Sequence, residues 1–280
     1  MDNTIIISGA NGFLGSFLVN YFHEKKHYVI ALIHHQVNEK IDGVEYREWE
    51  MDSISENIVP ANALAFIHAA YIPYSKNNKS EIRNLDASKK LLDVCIKKNV
   101  RKFIYLSSFS ALPEALSHYG RNKFEIEKIF DENRDLVLRP ALVIGDGGLY
   151  SNIVSLIKNY KFIPLISGGI QQIQTLKIDN LAEIINAGIL KNICGCYNIS
   201  DSKSFPIKQL YQKIAKEINR KVVFISIPYN LSFLLIKIIE KISRKPKITI
   251  ENLLGLKQMQ VRETSDLKIF EIDFESQKTD

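Results

Sequence analysis

The segment Ile5-Ile6-Ile7-Ser8-Gly9-Ala10-Asn11-Gly12-Phe13-Leu14-Gly15 restricts this chain more than any other. An apolar strand runs into Gly-x-x-Gly-x-x-Gly and then into a helical pattern. Gly9 permits the tight turn, Gly12 lets backbone amides approach a pyrophosphate, and Gly15 lets the helix lie close on the strand. The positive end of that helix favours an anion at the same place. The spacing departs from the commoner Gly-x-Gly-x-x-Gly fingerprint, and a glycine-rich turn without a ligand reads the same way in isolation. Its position on the first strand of a repeating strand–helix pattern argues for dinucleotide binding, with Gly9, Asn11, Gly12, Phe13, Leu14 and Gly15 as contacts.

That pattern fills the first half of the chain. Apolar runs at Thr4–Ser8, Tyr28–Ile33, Val44–Trp49, Ala63–Ala69, Phe103–Ser107 and Leu136–Arg139 alternate with helical spacing at Gly15–Glu24, Glu81–Lys98 and Tyr119–Phe130. Several runs are apolar on both faces, as strands covered on two sides must be. The expected class is α/β, a doubly wound Rossmann parallel sheet with a small C-terminal α/β substrate-binding cap. After Gly145 the rhythm loosens. Helices are expected at Asn152–Asn159, Asn180–Leu190, Ile207–Ile218 and Leu231–Ile242, with strands at Cys196–Ile199 and Val222–Ile227. The division expected is 1–150 for the dinucleotide half and 151–280 mainly for the cap, with some segments returning to the main sheet.

Other positions bear on the cofactor. Where an acidic residue would take the ribose 2′-hydroxyl, at the end of the second strand, the chain has His34-His35-Gln36, and no carboxylate comes before Glu39. A histidine tolerates a 2′-phosphate, which tilts the choice between NAD and NADP slightly toward NADP. Two histidines merely exposed at a strand end would read identically. Asp52, with Ser53 beside it, is placed to accept from an adenine amino group or else to cap the next segment. His68-Ala69-Ala70 ends the fourth strand, its small residues leaving room for a cofactor. The ring of His68 itself reads better as a satisfied core histidine.

The chemistry is carried further along. Phe103-Ile104-Tyr105-Leu106-Ser107-Ser108 is a buried-type strand ending in two serines. Eleven residues beyond Ser108, Tyr119 and Lys123 form Tyr-x-x-x-Lys on one face of a helix. A nearby ammonium favours the phenolate, so Tyr119 is expected to titrate below its ordinary range. It would then exchange a proton with a carbonyl or alcohol oxygen held by Ser108, while a nicotinamide exchanges hydride with the carbon.

With these residues in place the chain resembles extended short-chain dehydrogenases/reductases of the NAD-dependent epimerase/dehydratase family. The resemblance rests on Gly9–Gly15, His68-Ala69-Ala70, Asn84, Leu106-Ser107-Ser108, Tyr119 with Lys123, and Leu138-Arg139-Pro140. Lys177-Ile178-Asp179-Asn180-Leu181-Ala182 resembles the segment that closes the family's substrate pocket, and Cys196-Tyr197-Asn198-Ile199-Ser200 the strand after it. The resemblance implies that Asn84 supports the cofactor and active-site backbone, that Lys123 also binds the nicotinamide ribose, and that dimers form through the Glu81–Lys98 and Tyr119–Phe130 helices. Two departures matter. The Ser108-to-Tyr119 connection is short, so pocket walls are missing there. Phe109-Ser110 stands where the family's dehydratases place Asp-Glu, which disfavours water elimination.

The expected activity is therefore reduction, or epimerisation, of a keto-sugar linked to a nucleotide, with reduction preferred because it needs only Ser108, Tyr119 and Lys123. A reductase of another small carbonyl and a non-catalytic dinucleotide-binding subunit are the competing readings. Cys194-Gly195-Cys196 lacks further ligands at metal spacing, so no metal site is expected. The 280 residues carry three Cys, too few for a disulfide framework, and a reducing, cytoplasmic setting fits. Met1–Ser8 carries Asp2 and runs straight into the glycine motif, so no secretory signal is expected. The uncharged run 57–75 contains Pro60, Asn62, His68 and Pro73, a poor spanning segment. The net charge of +6 belongs to one region. Residues 1–160 balance, whereas 203–247 hold eleven Lys and Arg against two Glu. With little aromatic interleaving, that patch does not read as a nucleic-acid surface. Within it, Leu231–Ile242 and the basic stretch 243–247 read either as a helix packed on the cap, the preferred view, or as a peripheral membrane contact. Trp49 reads as core, and Gly145-Asp146-Gly147-Gly148 as a turn above the active site.

Overall fold

In the computed structural model, described for residues 3–36, 39–74, 79–201, 203–242 and 248–272, the elements follow the expected alternation. The first half comprises β1 (Thr4–Ser8), α1 (Phe13–Glu24), β2 (Tyr28–Ile33), β3 (Glu45–Glu48), β4 (Ala65–His68), α2 (Ser80–Lys97), β5 (Lys102–Leu106), α3 (His118–Glu127) and β6 (Leu136–Pro140). The second half comprises β7 (Leu142–Ile144), α4 (Gly148–Asn159), β8 (Phe162–Ile166), β9 (Gln172–Ile173), β10 (Thr175–Lys177), α5 (Ile178–Leu190), β11 (Gly195–Ile199), β12 (Phe205–Pro206), α6 (Ile207–Glu217), β13 (Val223–Ile227), α7 (Tyr229–Ile242) and α8 (Ile250–Lys257). The basic stretch 243–247 lies outside the described residues.

Seven strands pair in parallel in the order β11-β6-β5-β4-β1-β2-β3. Period-two alternation sends the side chains to opposite layers. Ile5 and Ile7 join Leu18 and Phe22 of α1 and Leu181 and Ile185 of α5, while Ile6, Ile30 and Phe66 join Leu91 and Cys95 of α2 and Ile126 of α3. Burial on both faces explains why these strands are almost wholly apolar. Trp49 is buried in the second layer. The buried Lys102 is tolerated because its ammonium donates to Arg134 O at 3.0 Å and contacts Cys194 Sγ at 2.9 Å.

After residue 150, α5 packs into one helical layer of the sheet and β11 pairs with β6 as an edge strand. The cap has its own small core of Ile153, Ile157, Ile163, Leu210 and Ile214 between α4, β8 and α6. Its short strands form three two-stranded pairs, β7–β10, β8–β13 and β9–β12.

α7 turns its apolar side outward: it buries only Ser232 and Ile236 and leaves most of its apolar residues facing solvent. No described helix is long and apolar enough to cross a membrane.

Candidate active site

The carboxyl ends of the strands carry the site, at the point where the sheet order reverses between β1 and β4. The glycines are required by contact. A Cβ on Gly9, at φ +69°, would stand 2.8 Å from Ala70 Cα, and one on Gly15 would stand 2.1 Å from Gly9 O. Gly12 precedes α1 without a side-chain cap, so the first amides of the helix lack an intrahelical partner. Unclaimed donors at a positive helix end suit a pyrophosphate. The Phe13 ring packs so closely on Gly145, Gly147 and Gly148 that a Cβ on Gly147 would meet it at 2.2 Å.

His68 is the satisfied histidine that its ring was read to be. Nδ1 lies 2.7 Å from Ser8 Oγ and Nε2 lies 3.0 Å from Ser88 Oγ. Ser88 spends its proton on Asn84 O, so Nε2 must donate and Nδ1 must accept. Burial pushes the imidazole down to about 3, with the Lys123 charge acting in the same sense, so it stays neutral. Ala69 and Ala70 then leave only small groups beside Gly9.

Asp52 caps nothing. Its carboxylate takes a two-point contact from Arg83 of α2, Nε to Oδ1 at 2.8 Å and Nη2 to Oδ2 at 2.5 Å. Ser55, not Asp52, caps the following turn. Ser53 bridges back to Glu50, its amide donating to Glu50 O at 3.1 Å. The His34 and His35 rings lie 4.0 Å apart, tilted by 40°, and Asn11 Nδ2 donates to His35 O at 3.3 Å, which ties the glycine turn to the end of β2.

The three chemical residues come together at the end of β5. Ser108 lies on the Tyr119 side of the site, where it favours the phenolate, and Ser108 Oγ accepts from Ser110 N at 3.1 Å. Lys123 is buried one helical turn later, where its Nζ donates to Leu106 O at 2.7 Å. That nitrogen lies 4.8 Å from the Tyr71 ring, 4.6 Å from Tyr105 and 5.9 Å from Tyr119. Desolvation lowers the ammonium to about 7, opposed by the Glu127 charge. Tyr119 does not titrate low, as the sequence led one to expect. Burial raises it, and Ser108 only partly opposes that.

Asn84 ties the segment after β4 to α3. It accepts from Ile72 N at 2.8 Å and donates to Ile72 O at 2.9 Å and to Asn122 Oδ1 at 3.1 Å. Asn122 in turn donates to Glu81 O at 2.9 Å, which locks α3 to α2 beside the site.

Several residues escaped the sequence. Glu127 sits one turn beyond Lys123 on the same face; the i+4 spacing was the available signal. It accepts from Ser107 Oγ and from Arg139 Nε at 2.9 Å. Glu127→Gln should lower the urea unfolding free energy by about 2–4 kcal/mol, because it leaves a half-buried guanidinium without its charge partner. An unchanged unfolding midpoint would show that the pair contributes nothing. Tyr71, directly after Ala70, meets Tyr119 edge to face at 5.1 Å, and among the described residues its buried hydroxyl has no partner. The missing walls of the short connection are supplied from the C-terminus, for which the sequence held no signal. Glu251 accepts from Tyr119 N at 3.2 Å, Gln258 accepts from Leu116 N at 2.6 Å, and Arg262 donates to Phe109 O at 2.9 Å.

A doubly wound parallel sheet with a glycine turn at its switch point is the architecture of the short-chain dehydrogenase/reductase class. Residues 5–185 match the NAD dependent epimerase/dehydratase family, and the chain belongs to that family. It is 26% identical over 219 residues to a UDP-glucose 4-epimerase of Vibrio cholerae, covering 66% of each chain. It is 24% identical over 177 residues to an N-acetyl-alpha-D-glucosaminyl-diphospho-ditrans,octacis-undecaprenol 4-epimerase of Escherichia coli O157:H7, covering 54% of this chain and 53% of that one. The alignments thus span about two-thirds and about half of these relatives. In fold it is similar to a UDP-glucuronic acid 4-epimerase of Bacillus cereus solved with NAD, at TM-score 0.68 and 19% identity, covering 90% of this chain and 94% of that one.

Proposed function

We propose that this chain is an NAD-dependent epimerase acting on a sugar carried by a nucleoside diphosphate. The observation that carries the reading is the meeting of Ser108, Tyr119 and Lys123 beside the open start of α1. NAD, when bound, supplies a carrier that accepts hydride from the sugar and returns it. Gly9, Asn11, Gly12, Phe13, Leu14 and Gly15 hold the pyrophosphate, with His34, Asp52 and Ser53 at its adenosine end. His68, Ala69, Ala70, Asn84 and Ser107 shape the floor toward the nicotinamide. NAD is preferred to the NADP that the missing acidic residue favours, because the family is NAD-dependent.

Ser108 holds the reacting sugar oxygen, and Tyr119 removes its proton in the oxidising half and returns it in the reducing half. The free Tyr71 hydroxyl supplies a second hydrogen bond to the sugar. Epimerisation displaces the simpler reduction because the aligned relatives are 4-epimerases. Phe109 and Ser110 offer no acid–base pair for elimination. With NAD and either C4 epimer of a UDP-hexose, proton NMR should show the same epimer mixture from both sides and no accumulation of reduced dinucleotide. Stoichiometric consumption of reduced dinucleotide would assign a ketoreductase instead. Dinucleotide binding with no turnover would assign a non-catalytic subunit. A sugar on a polyprenyl diphosphate, as in the name of the Escherichia coli relative, is the second reading, favoured by the solvent-facing apolar side of α7.

A further inference from the structure

The unpartnered side of α7 is ordered by helical geometry. Leu231, Leu234, Leu235, Ile238, Ile239 and Ile242 follow the spacing i, i+3, i+4, i+7, i+8, i+11, which gathers them on one arc of the helix. All six are 40–80% exposed. At 100° per residue, Lys237 and Lys241 fall along one flank of this arc, and the buried Ser232 and Ile236 fall beyond the other. The strand leading into α7 continues the exposure. In the β8–β13 pair Phe162 lies opposite Val223 and Pro164 opposite Ile225, and all four are exposed. Monomeric chains rarely leave so much contiguous apolar surface in water without a use for it.

Charge selects the occupant. Residues 203–242 hold eight Lys and Arg against two Glu. Of those two, Glu240 accepts from Ile250 N at 2.8 Å, and Glu217 pairs with Lys213. A second copy of the same face would bring the Lys237 and Lys241 flanks of two chains together. An anionic bilayer would receive the apolar arc among its acyl chains and the flanking lysines among its headgroups. We propose that α7 is a peripheral membrane helix that seats the protein on bilayers rich in anionic phospholipid. α7 packs on α8, and α8 both contacts α3 and caps it through Glu251 at Tyr119 N. A seated α7 therefore holds the catalytic helix two elements from the headgroup layer. The surface stands independently of the chemistry assigned to Tyr119.

The test is sedimentation of the full chain with vesicles of phosphatidylglycerol and phosphatidylethanolamine, against vesicles of phosphatidylcholine alone. The chain should pellet with the anionic vesicles at low salt and be released as salt rises. Leu234→Ser with Ile238→Ser should weaken binding at least about tenfold. Lys237→Glu and Lys241→Glu should each weaken it about fivefold. NAD binding and circular dichroism should be unchanged, which separates a lost surface from a lost fold. Wild-type chain that stays in the supernatant, or variants that pellet as well as wild type, would overturn the proposal. A wild-type dimer in light scattering that the apolar double substitution converts to monomer would assign the face to a second copy and overturn it equally.

Discussion

Tyr119→Phe is expected to lower turnover of a UDP-hexose by about 10²–10⁴-fold while leaving NAD affinity nearly unchanged, the range that a positioned proton donor or acceptor contributes. The substitution removes one oxygen and little else. The ring keeps its edge-to-face contact with Tyr71. The glycine turn that meets the dinucleotide is on another element, so affinity and chemistry separate. Because burial holds Tyr119 protonated through the neutral range in the free protein, oxidation of the sugar should be the half limited by supply of phenolate. Wild-type kcat should then climb with pH up to 10 as the small phenolate fraction grows, and the variant should show no such rise. The measurement is steady-state kinetics from pH 6 to 10 alongside NAD titration by fluorescence. Undiminished kcat in the variant would remove Tyr119 from the chemistry.

The parts of this site that sequence reveals are those fixed by local geometry. Gly-x-x-Gly-x-x-Gly is legible because a Cβ at Gly9 or Gly15 would collide with backbone, so the turn admits no other residue type. The seven-stranded sheet is legible because burial on both faces leaves uninterrupted apolar runs. What sequence hides depends on partners far along the chain. α8 is a single short helix without a marked apolar stripe, yet Glu251 and Gln258 reach across more than 130 residues to brace Tyr119 and Leu116. The cap strands β7, β9, β10 and β12 have two or three residues each, too few for a period to register. Lys123 shows how far spacing alone reaches. The spacing to Tyr119 says that the two share a face, but only the fold shows the ammonium desolvated among three tyrosines. α7 misled for the opposite reason, since an apolar stripe normally marks the side turned to a core and here marks the side turned away from it.

The second large effect concerns that same lysine and has opposite signs in stability and activity. Lys123→Met should abolish most turnover and, below neutral pH, make the free protein more stable by about 2 kcal/mol. The folded lysine titrates near 7, well below its ordinary 10.5 in an unfolded chain. Below pH 7 both states carry the proton, and the full cost of burying an ammonium weighs on the fold. From about 7 to 10.5 the unfolded chain holds a proton that the folded chain lacks, so wild-type stability climbs with pH through that window. Above 10.5 the effect is complete. Methionine has similar length and no charge, so the variant's urea midpoint should be flatter across the window and should exceed wild type most at pH 6. Loss of the hydrogen bond to Leu106 O subtracts about 1 kcal/mol at every pH and is included in the net figure. Parallel stability curves for the two proteins between pH 6 and 9 would show that Lys123 is not a strained charge in the free protein. If the curves converge toward high pH as expected, the site keeps a destabilising cation for what it does to the reacting oxygen, because a residue retained only for packing would have no reason to be charged there.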